Sequence, residues 1–339
     1  MKPITSAQAA ALARRHWHVT GETSALPSYL DQNFRIRSGQ GDYVLKIAHP
    51  SWAREDLDLE NCAMMALAAR EPTLHWPQVQ RTPAGEHLLT VPMDGGERHV
   101  RLLSFVPGTP WAHAIEALSP AQRRSLHGSL GDAVARLTTG MENLRHPAAT
   151  RTHAWNLMAL PALSGEIAHV PEAALRARVQ TIVADFCARL PTLQADLPMA
   201  VIHNDANDLN VLVAQAGDTW KVTSVIDFGD TCTTFREANL AIACVYAMQH
   251  ESDPVACARR VIAAYAARCP LRRAELEALP LLIAARLCQS ILMATRARRE
   301  QPDNTFTAVS QQGVRALLTE LVAVAPDAIV RPLLETFHE

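Results

Sequence analysis

Two short polar clusters hold the residue types that moving a phosphoryl group would require. The first is Val201-Ile202-His203-Asn204-Asp205-Ala206-Asn207-Asp208-Leu209-Asn210-Val211-Leu212, and the second is Val225-Ile226-Asp227-Phe228-Gly229-Asp230. Each is bracketed by apolar residues of strand character, so the polar groups are expected at strand ends, where a fixed geometry is possible. Transfer to an alcohol needs a carboxylate to accept the proton, oxygen ligands for a divalent cation, and a positive group to orient the phosphates. Asp205 suits the first role. Asn210 and Asp227 suit the second, because Mg²⁺ is a hard cation that takes oxygen ligands and often few of them from protein. Lys46 suits the third.

Lys46 stands out in an arginine-rich chain: Lys2, Lys46 and Lys221 are the only lysines among 32 basic residues. Lysine is a compact point charge where arginine is a planar fork. On its strand, Tyr43, Leu45 and Ile47 take one face, and Val44 and Lys46 the other. On the helix that follows, Glu60 shares a stripe with Leu57, Met64 and Leu67. A carboxylate aimed into an apolar face needs a partner, and Lys46 is the expected one.

The elements around these residues follow from periodicity. Gln32–Arg37 and Asp42–Ile47 alternate with period two and are joined by Ser38-Gly39-Gln40-Gly41, which predicts a β-hairpin. Ala53–Arg70 reads as the one long helix of the first hundred residues, with Leu57, Asn61, Met64 and Leu67 near one face. Strands are predicted around His87–Val91 and His99–Phe105, with Asp94-Gly95-Gly96 turning between them. Phe105-Val106-Pro107-Gly108-Thr109-Pro110 breaks the pattern and reads as a linker. Beyond it the chain is mainly helical. Ser119-Pro120 starts a helix that runs to about Leu137. Further helices are predicted at Glu172–Arg189, Phe235–Gln249, Pro254–Arg268, Arg273–Arg299 and Thr307–Val324. One β-island interrupts them, with strands at Ala200–Ile202, Val211–Ala214 and Val222–Ile226 and a turn at Gln215–Asp218. The expectation is an α+β chain in two lobes: residues 1–104 as a small β-rich lobe, 105–110 as a hinge, and 111–339 as a larger helical lobe, with a ligand cleft between them.

Whole-chain properties exclude several classes. Of 339 residues, 48% are apolar and 19% charged, an ordinary globular composition with enough chain for a sizeable core. A formal net charge of −2 gives no strong basic field for nucleic acid or an anionic membrane. The seven cysteines are scattered without a CxxC pair, so local spacing offers no zinc site, and their odd number reads as reduced thiols. No N-terminal apolar run reaches the length of a signal peptide or membrane span, and Leu279–Ala285 is short enough for a buried helix. A cytoplasmic protein is expected. His16, His18, His153 and His250 read as surface or core histidines, and Met64-Met65 as core.

The HxDxxxxN pattern of His203, Asp205 and Asn210, followed by Asp227-Phe228-Gly229, resembles the aminoglycoside phosphotransferase/choline kinase family. The resemblance implies a protein-kinase-like fold. Three further stretches resemble its hydroxylysine kinase branch: Leu26-Pro27-Ser28-Tyr29-Leu30-Asp31-Gln32-Asn33-Phe34, Asn207-Asp208, and Arg286-Leu287-Cys288-Gln289-Ser290. The resemblance spans about Leu26 to Arg296. It implies Asp205 as catalytic base, Asn210 and Asp227 as Mg²⁺ ligands, Lys46 and Glu60 as the phosphate-orienting pair, and His203 as a structural residue. It further implies Ser28 to Asn33 as the turn over the nucleotide and Ser104 to Val106 as the segment along the base, with ATP or GTP as donor. The family usually has glycine between the His and the Asp; Asn204 stands there, and asparagine tolerates positive φ better than most residues. No GxGxxG loop precedes the lysine.

A substrate ammonium would need carboxylates near the catalytic loop. Asp230, Asp208 and Glu237 are the candidates by proximity, Asp230 first. The reading is therefore a kinase acting on a small amine-bearing alcohol, with 5-hydroxy-lysine first. Choline, ethanolamine, homoserine and aminoglycosides stay open as acceptors, and a nucleotide-binding regulator with little turnover is the alternative of another class. A protein kinase fits less well, because no Ala-Pro-Glu motif follows Asp227. Oligomeric state is not legible.

Overall fold

The computed structural model describes residues 3–28, 30–300, 311–325 and 327–335. The chain divides between Pro107 and Gly108 into two compact units, with the short segment His146–Ala149 grouping with the first.

In the first unit, helix α1 (Ser6–Trp17) is opened by a reciprocal cap: the Gln8 amide donates to Thr5 Oγ1 at 3.2 Å, and the Thr5 amide to Gln8 Oε1 at 2.9 Å. This helix corrects the expectation of a single helix before residue 100. Its buried stripe is Ala9, Ala13 and Trp17, too weakly apolar to stand out by periodicity. Six strands follow: β1 (Glu22–Leu26), β2 (Gln32–Ser38), β3 (Gly41–Ile47), β4 (Val79–Gln80), β5 (Leu89–Met93) and β6 (Gly96–Ser104). They form one antiparallel sheet in the order β1-β2-β3-β6-β4, with β5 also paired to β6.

Period two sorts this sheet into two faces. Phe34, Ile36, Leu45, Ile47, Val100 and Leu102 are buried in a cluster with Ala9, Ala13 and Trp17 of α1. The other face carries a polar row, because Lys46 of β3 lies directly opposite Asn33 of β2 and Arg101 of β6. Helix α2 (Arg54–Arg70) meets that row, and Arg101 Nη1 donates to Leu57 O at 3.3 Å and Asn61 Oδ1 at 3.1 Å. The expected stripe of Leu57, Asn61, Met64 and Leu67 is buried. Each of its large apolar side chains contributes about 1.5–3 kcal/mol by leaving water.

The second unit begins with β7 (Thr109–Pro110) and the short helix α3 (Trp111–Ala114). Helix α4 (Pro120–Met141) starts where Ser119-Pro120 predicts and runs one turn past Leu137; the Ser119 amide donates to Gln122 Oε1 at 3.0 Å. Gly131 lets it lie against α7 (Pro254–Ala266), since a Cβ there would stand 2.2 Å from Val261 O. A 3₁₀ stretch at Leu157–His169 precedes α5 (Ala173–Asp196). Helices α6 (Ala238–Met248), α8 (Arg273–Glu300), α9 (Gln311–Val322) and α10 (Arg331–Glu335) complete the helical set. The predicted helix at Phe235 begins instead at Ala238, and Thr307–Ser310 of the last predicted helix lie outside the described residues. Helix α8 is long and apolar enough to cross a membrane, but 78% of its apolar window is buried within the protein, as in a core helix.

The predicted β-island is two small sheets. Strands β9 (Val211–Ala216) and β10 (Thr219–Val225) form a hairpin extended by β7, while β8 (Met199–Ile202) pairs with β11 (Cys232–Phe235). β7 and β11 are too short to carry a periodic signal, which is why sequence shows one island and a helix at Phe235. The two polar clusters occupy the β8–β9 loop and the β10–β11 loop. The Ile226 amide donates to Asn210 O at 2.9 Å and ties the loops together.

Candidate active site

The β8–β9 loop is built to hold one carboxylate. Asp205 Oδ2 accepts from Asn210 Nδ2 at 2.8 Å and Asn207 Nδ2 at 2.9 Å. Asn210 Nδ2 also donates to Asp205 O at 3.0 Å. Both N–H groups of the Asn210 amide are thus engaged with Asp205, which leaves its oxygen as the group able to ligate a cation. Asn207 Oδ1 closes the turn by accepting from the Leu209 and Asn210 amides, each at 2.9 Å. Beneath the loop, His203 Nδ1 accepts from the Asp205 amide at 3.2 Å, and its ring meets Phe228 edge-on at 4.6 Å. Burial lowers His203 to a pKa of about 4, so the ring is neutral and structural.

The residue in the glycine position does what that position demands. Asn204 has φ +66°, and Asp227 matches it at +66°. Asn204 is held there from both sides: its amide donates to Asn239 Oδ1 at 3.1 Å, and its Nδ2 to Trp155 O at 3.1 Å. Non-glycine residues at positive φ cost on the order of 1–3 kcal/mol and collect at functional sites.

Arg286 approaches Asp205 from α8. Its Nη2 lies 3.3 Å from Asp205 Oδ1, its Nη1 donates to Trp155 O at 3.2 Å, and its guanidinium sits 4.6 Å above the Trp155 ring. One turn on, Gln289 Nε2 donates to Ala154 O at 2.9 Å and Asn156 O at 3.0 Å. Both residues belong to the Arg286–Ser290 stretch, whose resemblance was legible while its role was not. Trp155, Asn207 and Arg286 are site residues that sequence reasoning missed. A buried arginine inside a long apolar helix was the available signal, since an unpaired buried charge is not tolerated.

Burial, then the Asp230 charge, pushes the Asp205 carboxyl well above the usual carboxylate range; Arg286 opposes the shift, and Asp227 adds to it. Asp227 itself is exposed. Asp230 is partly exposed, at 22%, with Oδ1 3.3 Å from His153 Nε2. Arg151 Nη2 donates to Gly229 O at 2.7 Å and fixes the same turn.

The other two acceptor candidates lie elsewhere in the packing. Asp208 is buried, its Oδ2 is 3.0 Å from His250 Nε2, and its carbonyl accepts from the Ala112 amide at 2.9 Å. Glu237 is fully buried between Arg236 and Glu275; burial and the neighbouring carboxyl raise it to about 8. Both are corrections to the substrate-binding expectation. Each is buried against a partner inside the protein, His250 for Asp208 and Arg236 for Glu237.

In the first unit, Glu60 is buried as expected, and Arg101, a cation that the sequence pattern did not point to, meets it. Arg101 stands beside Lys46 in register, and its longer planar side chain spans to α2. Asn33 shares the Lys46 row, and its Oδ1 is buried without a hydrogen bond. Ser28 is exposed between β1 and β2, and Tyr29 lies outside the described residues. The rest of that turn is anchored by Asp31 Oδ1, which accepts from the His49 amide at 3.0 Å and Trp52 Nε1 at 3.1 Å. The Ser104 amide donates to Gln78 O at 2.8 Å, and Ser104 and Val106 border a cavity of about 330 Å³ that also takes in Trp76 and His75.

The chain is similar to several known proteins. Residues 22–277 match the phosphotransferase enzyme family. The hydroxylysine kinase of Mus musculus is 29% identical over 329 residues, covering 89% of this chain and 85% of its own length. The homoserine kinase of Methylobacterium sp. (strain 4-46) is 32% identical over 256 residues, covering 74% of this chain and 72% of its own. Among solved structures, a microcompartment-associated aminopropanol kinase superposes with a TM-score of 0.71 at 18% identity, covering 93% of this chain and 97% of that one. Amicoumacin kinase, solved with AMP-PNP and Ca²⁺, gives 0.68 at 14% identity and covers 94% of each chain. The fold is therefore the protein-kinase-like α+β fold of these small-molecule kinases. With the family match spanning residues 22–277, the chain belongs to the phosphotransferase enzyme family, as an enzyme that transfers a phosphoryl group to an alcohol.

Proposed function

We propose that this enzyme transfers the γ-phosphoryl group of ATP or GTP to the side-chain hydroxyl of 5-hydroxy-lysine. The observation that carries the chemistry is the Asp205 cradle: one carboxylate oxygen is held by Asn207 and Asn210, and the other lies toward Arg286. Asp205 accepts the hydroxyl proton as the acceptor oxygen attacks the γ-phosphorus, and the nucleoside diphosphate departs. The acceptor is supported by similarity to hydroxylysine kinases over most of the chain. Asp230, partly exposed beside Asp205, suits its ammonium group.

Asn210 Oδ1 and the exposed Asp227 carboxylate are oxygen donors that would suit Mg²⁺, a hard cation that takes oxygen ligands and often few of them from protein. When bound, Mg²⁺ supplies charge neutralisation on the donor phosphates. In the first unit, Lys46 orients the phosphates, its strand position set by the row with Asn33 and Arg101. Ser104 to Val106 runs along the base. The free cysteines suit a reducing, cytoplasmic setting.

Homoserine is the second reading, favoured by 32% identity to a homoserine kinase. A non-catalytic regulator loses its main ground, because Asn204 adopts the conformation that its loop position needs. The test is a transfer assay with Mg²⁺, using ATP and GTP separately against 5-hydroxy-lysine, homoserine, ethanolamine, choline and kanamycin. Selective turnover of 5-hydroxy-lysine is expected. Selective turnover of another acceptor would overturn the acceptor assignment, and nucleotide binding without any transfer would overturn the enzymatic reading.

A further inference from the structure

A second constellation of ligating groups lies in the first unit, apart from the oxygen donors of the candidate active site. Asp58 and Cys62 are one turn apart on α2, so both project from the same helix face. His146 starts the segment that groups with this unit, and its Nε2 lies 3.3 Å from Asp58 Oδ2. The Cys62 sulfur, the His146 nitrogen and an Asp58 oxygen all lie within 4.8 Å of one another, and all three residues are partly buried. On the other side, His87 Nε2 is 3.4 Å from Asp58 Oδ1.

We propose that Asp58, Cys62 and His146 form a binding site for Zn²⁺ or a similar borderline-soft divalent cation. Tetrahedral zinc with N, O and S ligands at about 2.0–2.3 Å places ligand atoms roughly 3.3–3.7 Å apart. The His146–Asp58 separation already has that value, and closing the thiol onto the pair needs only a side-chain adjustment. Thiolate and imidazole favour zinc over Mg²⁺, so this site and the Asn210–Asp227 oxygen pair select different metals. His87 holds the outer oxygen of Asp58 in the way that second partners orient zinc ligands. Three protein ligands leave a fourth position for water, the mark of an exchangeable site rather than a closed structural one.

Binding is balanced by proton release. The Cys62 thiol gives its proton to solvent and becomes the thiolate ligand. His146 would bind through Nε2, with the ring's N–H on Nδ1 in place of the 3.2 Å contact from the Ala148 amide. Occupancy pins His146–Ala149 to α2, the helix whose Glu60 pairs with Arg101. Local Cys spacing could not show this site, because its ligands come from positions 58, 62 and 146.

The test uses the full chain after chelator treatment. Titration with Co²⁺ should give tetrahedral d–d bands and a thiolate-to-cobalt charge-transfer band. Cys62→Ser should abolish the charge-transfer band, and His146→Ala and Asp58→Asn should each weaken Zn²⁺ binding at least about tenfold. In the unsubstituted protein, Zn²⁺ should slow alkylation of Cys62, followed by peptide mass spectrometry, which keeps the test independent of how the variants fold. Cobalt bound without a thiolate band would overturn the site, as would unchanged affinity in Cys62→Ser and His146→Ala, or Cys62 alkylation at the same rate with and without Zn²⁺.

Discussion

Arg286 Nη2 stands 3.3 Å from Asp205 Oδ1, on the oxygen that Asn207 and Asn210 leave unheld. Arg286 is thereby a positioning residue for the base, and its charge opposes the upward push on the Asp205 carboxyl. Removing the charge disfavours the carboxylate, so the base form is lost at a higher pH. In Arg286→Gln the acid limb of kcat/KM is expected to move up by about one pH unit or more. Arg286→Lys should restore part of the shift. A pH profile of the parent and both variants checks this, and an unmoved acid limb in Arg286→Gln would contradict it.

Arg101 and Glu60 form a buried ion pair, with Arg101 1% and Glu60 3% exposed. Arg101→Met takes the guanidinium away from a buried carboxylate and is expected to cost about 3–5 kcal/mol in urea unfolding. Arg101→Met combined with Glu60→Leu should recover most of that loss, because no buried charge is then left unpaired. A double variant no more stable than Arg101→Met alone would show that Glu60 is not the partner that matters.

Glu237 gives the stability a pH dependence of stated sign. Its folded-state pKa is about 8 against an ordinary 4.5, raised by burial and by Glu275. Between those values the unfolded chain has released the proton that the folded chain keeps, so stability falls as pH rises. The contribution is complete below 4.5 and is lost through about 8. Glu275 is lowered from 4.5 and acts in the opposite sense, below that value. Glu237→Gln mimics the protonated form, and its stability relative to the parent should rise between pH 5.5 and 8. Urea unfolding at the two pH values measures this, and a constant difference would contradict it.

Asn204 combines a positive φ with two anchors. Asn204→Gly keeps the backbone conformation and loses the bond to Trp155 O, an expected cost of about 1 kcal/mol. Asn204→Ala loses the same bond and adds left-handed strain of about 1 kcal/mol or more. Thermal or urea unfolding should therefore rank the parent above Gly and Gly above Ala. The reverse order of Gly and Ala would show that backbone conformation is not what this position selects.

Much of this was legible because it is local. The β2–β3 hairpin, the α2 stripe, the Ser119-Pro120 helix start and the strand-end placement of both polar clusters each arise from residues a few positions apart. What escaped was pairing across long stretches of chain. Glu60 needs a cation, which sequence shows; that Arg101 meets it depends on β6 lying beside β3, which sequence does not show. Asp208 and Glu237 look available until His250, Arg236 and Glu275 are brought to them. The Arg286–Ser290 stretch resembles its branch in sequence, but its purpose appears only where α8 meets Asp205 and Trp155.

The central claim is that Asp205 takes the acceptor proton in a phosphoryl transfer. Its most direct test is Asp205→Asn, with nucleotide affinity by calorimetry and transfer to 5-hydroxy-lysine followed in the same protein preparation. Turnover is expected to fall by about 10²–10⁴-fold with nucleotide affinity near that of the parent. Turnover near the parent's would contradict the account, because the carboxylate at its centre would then not be the base.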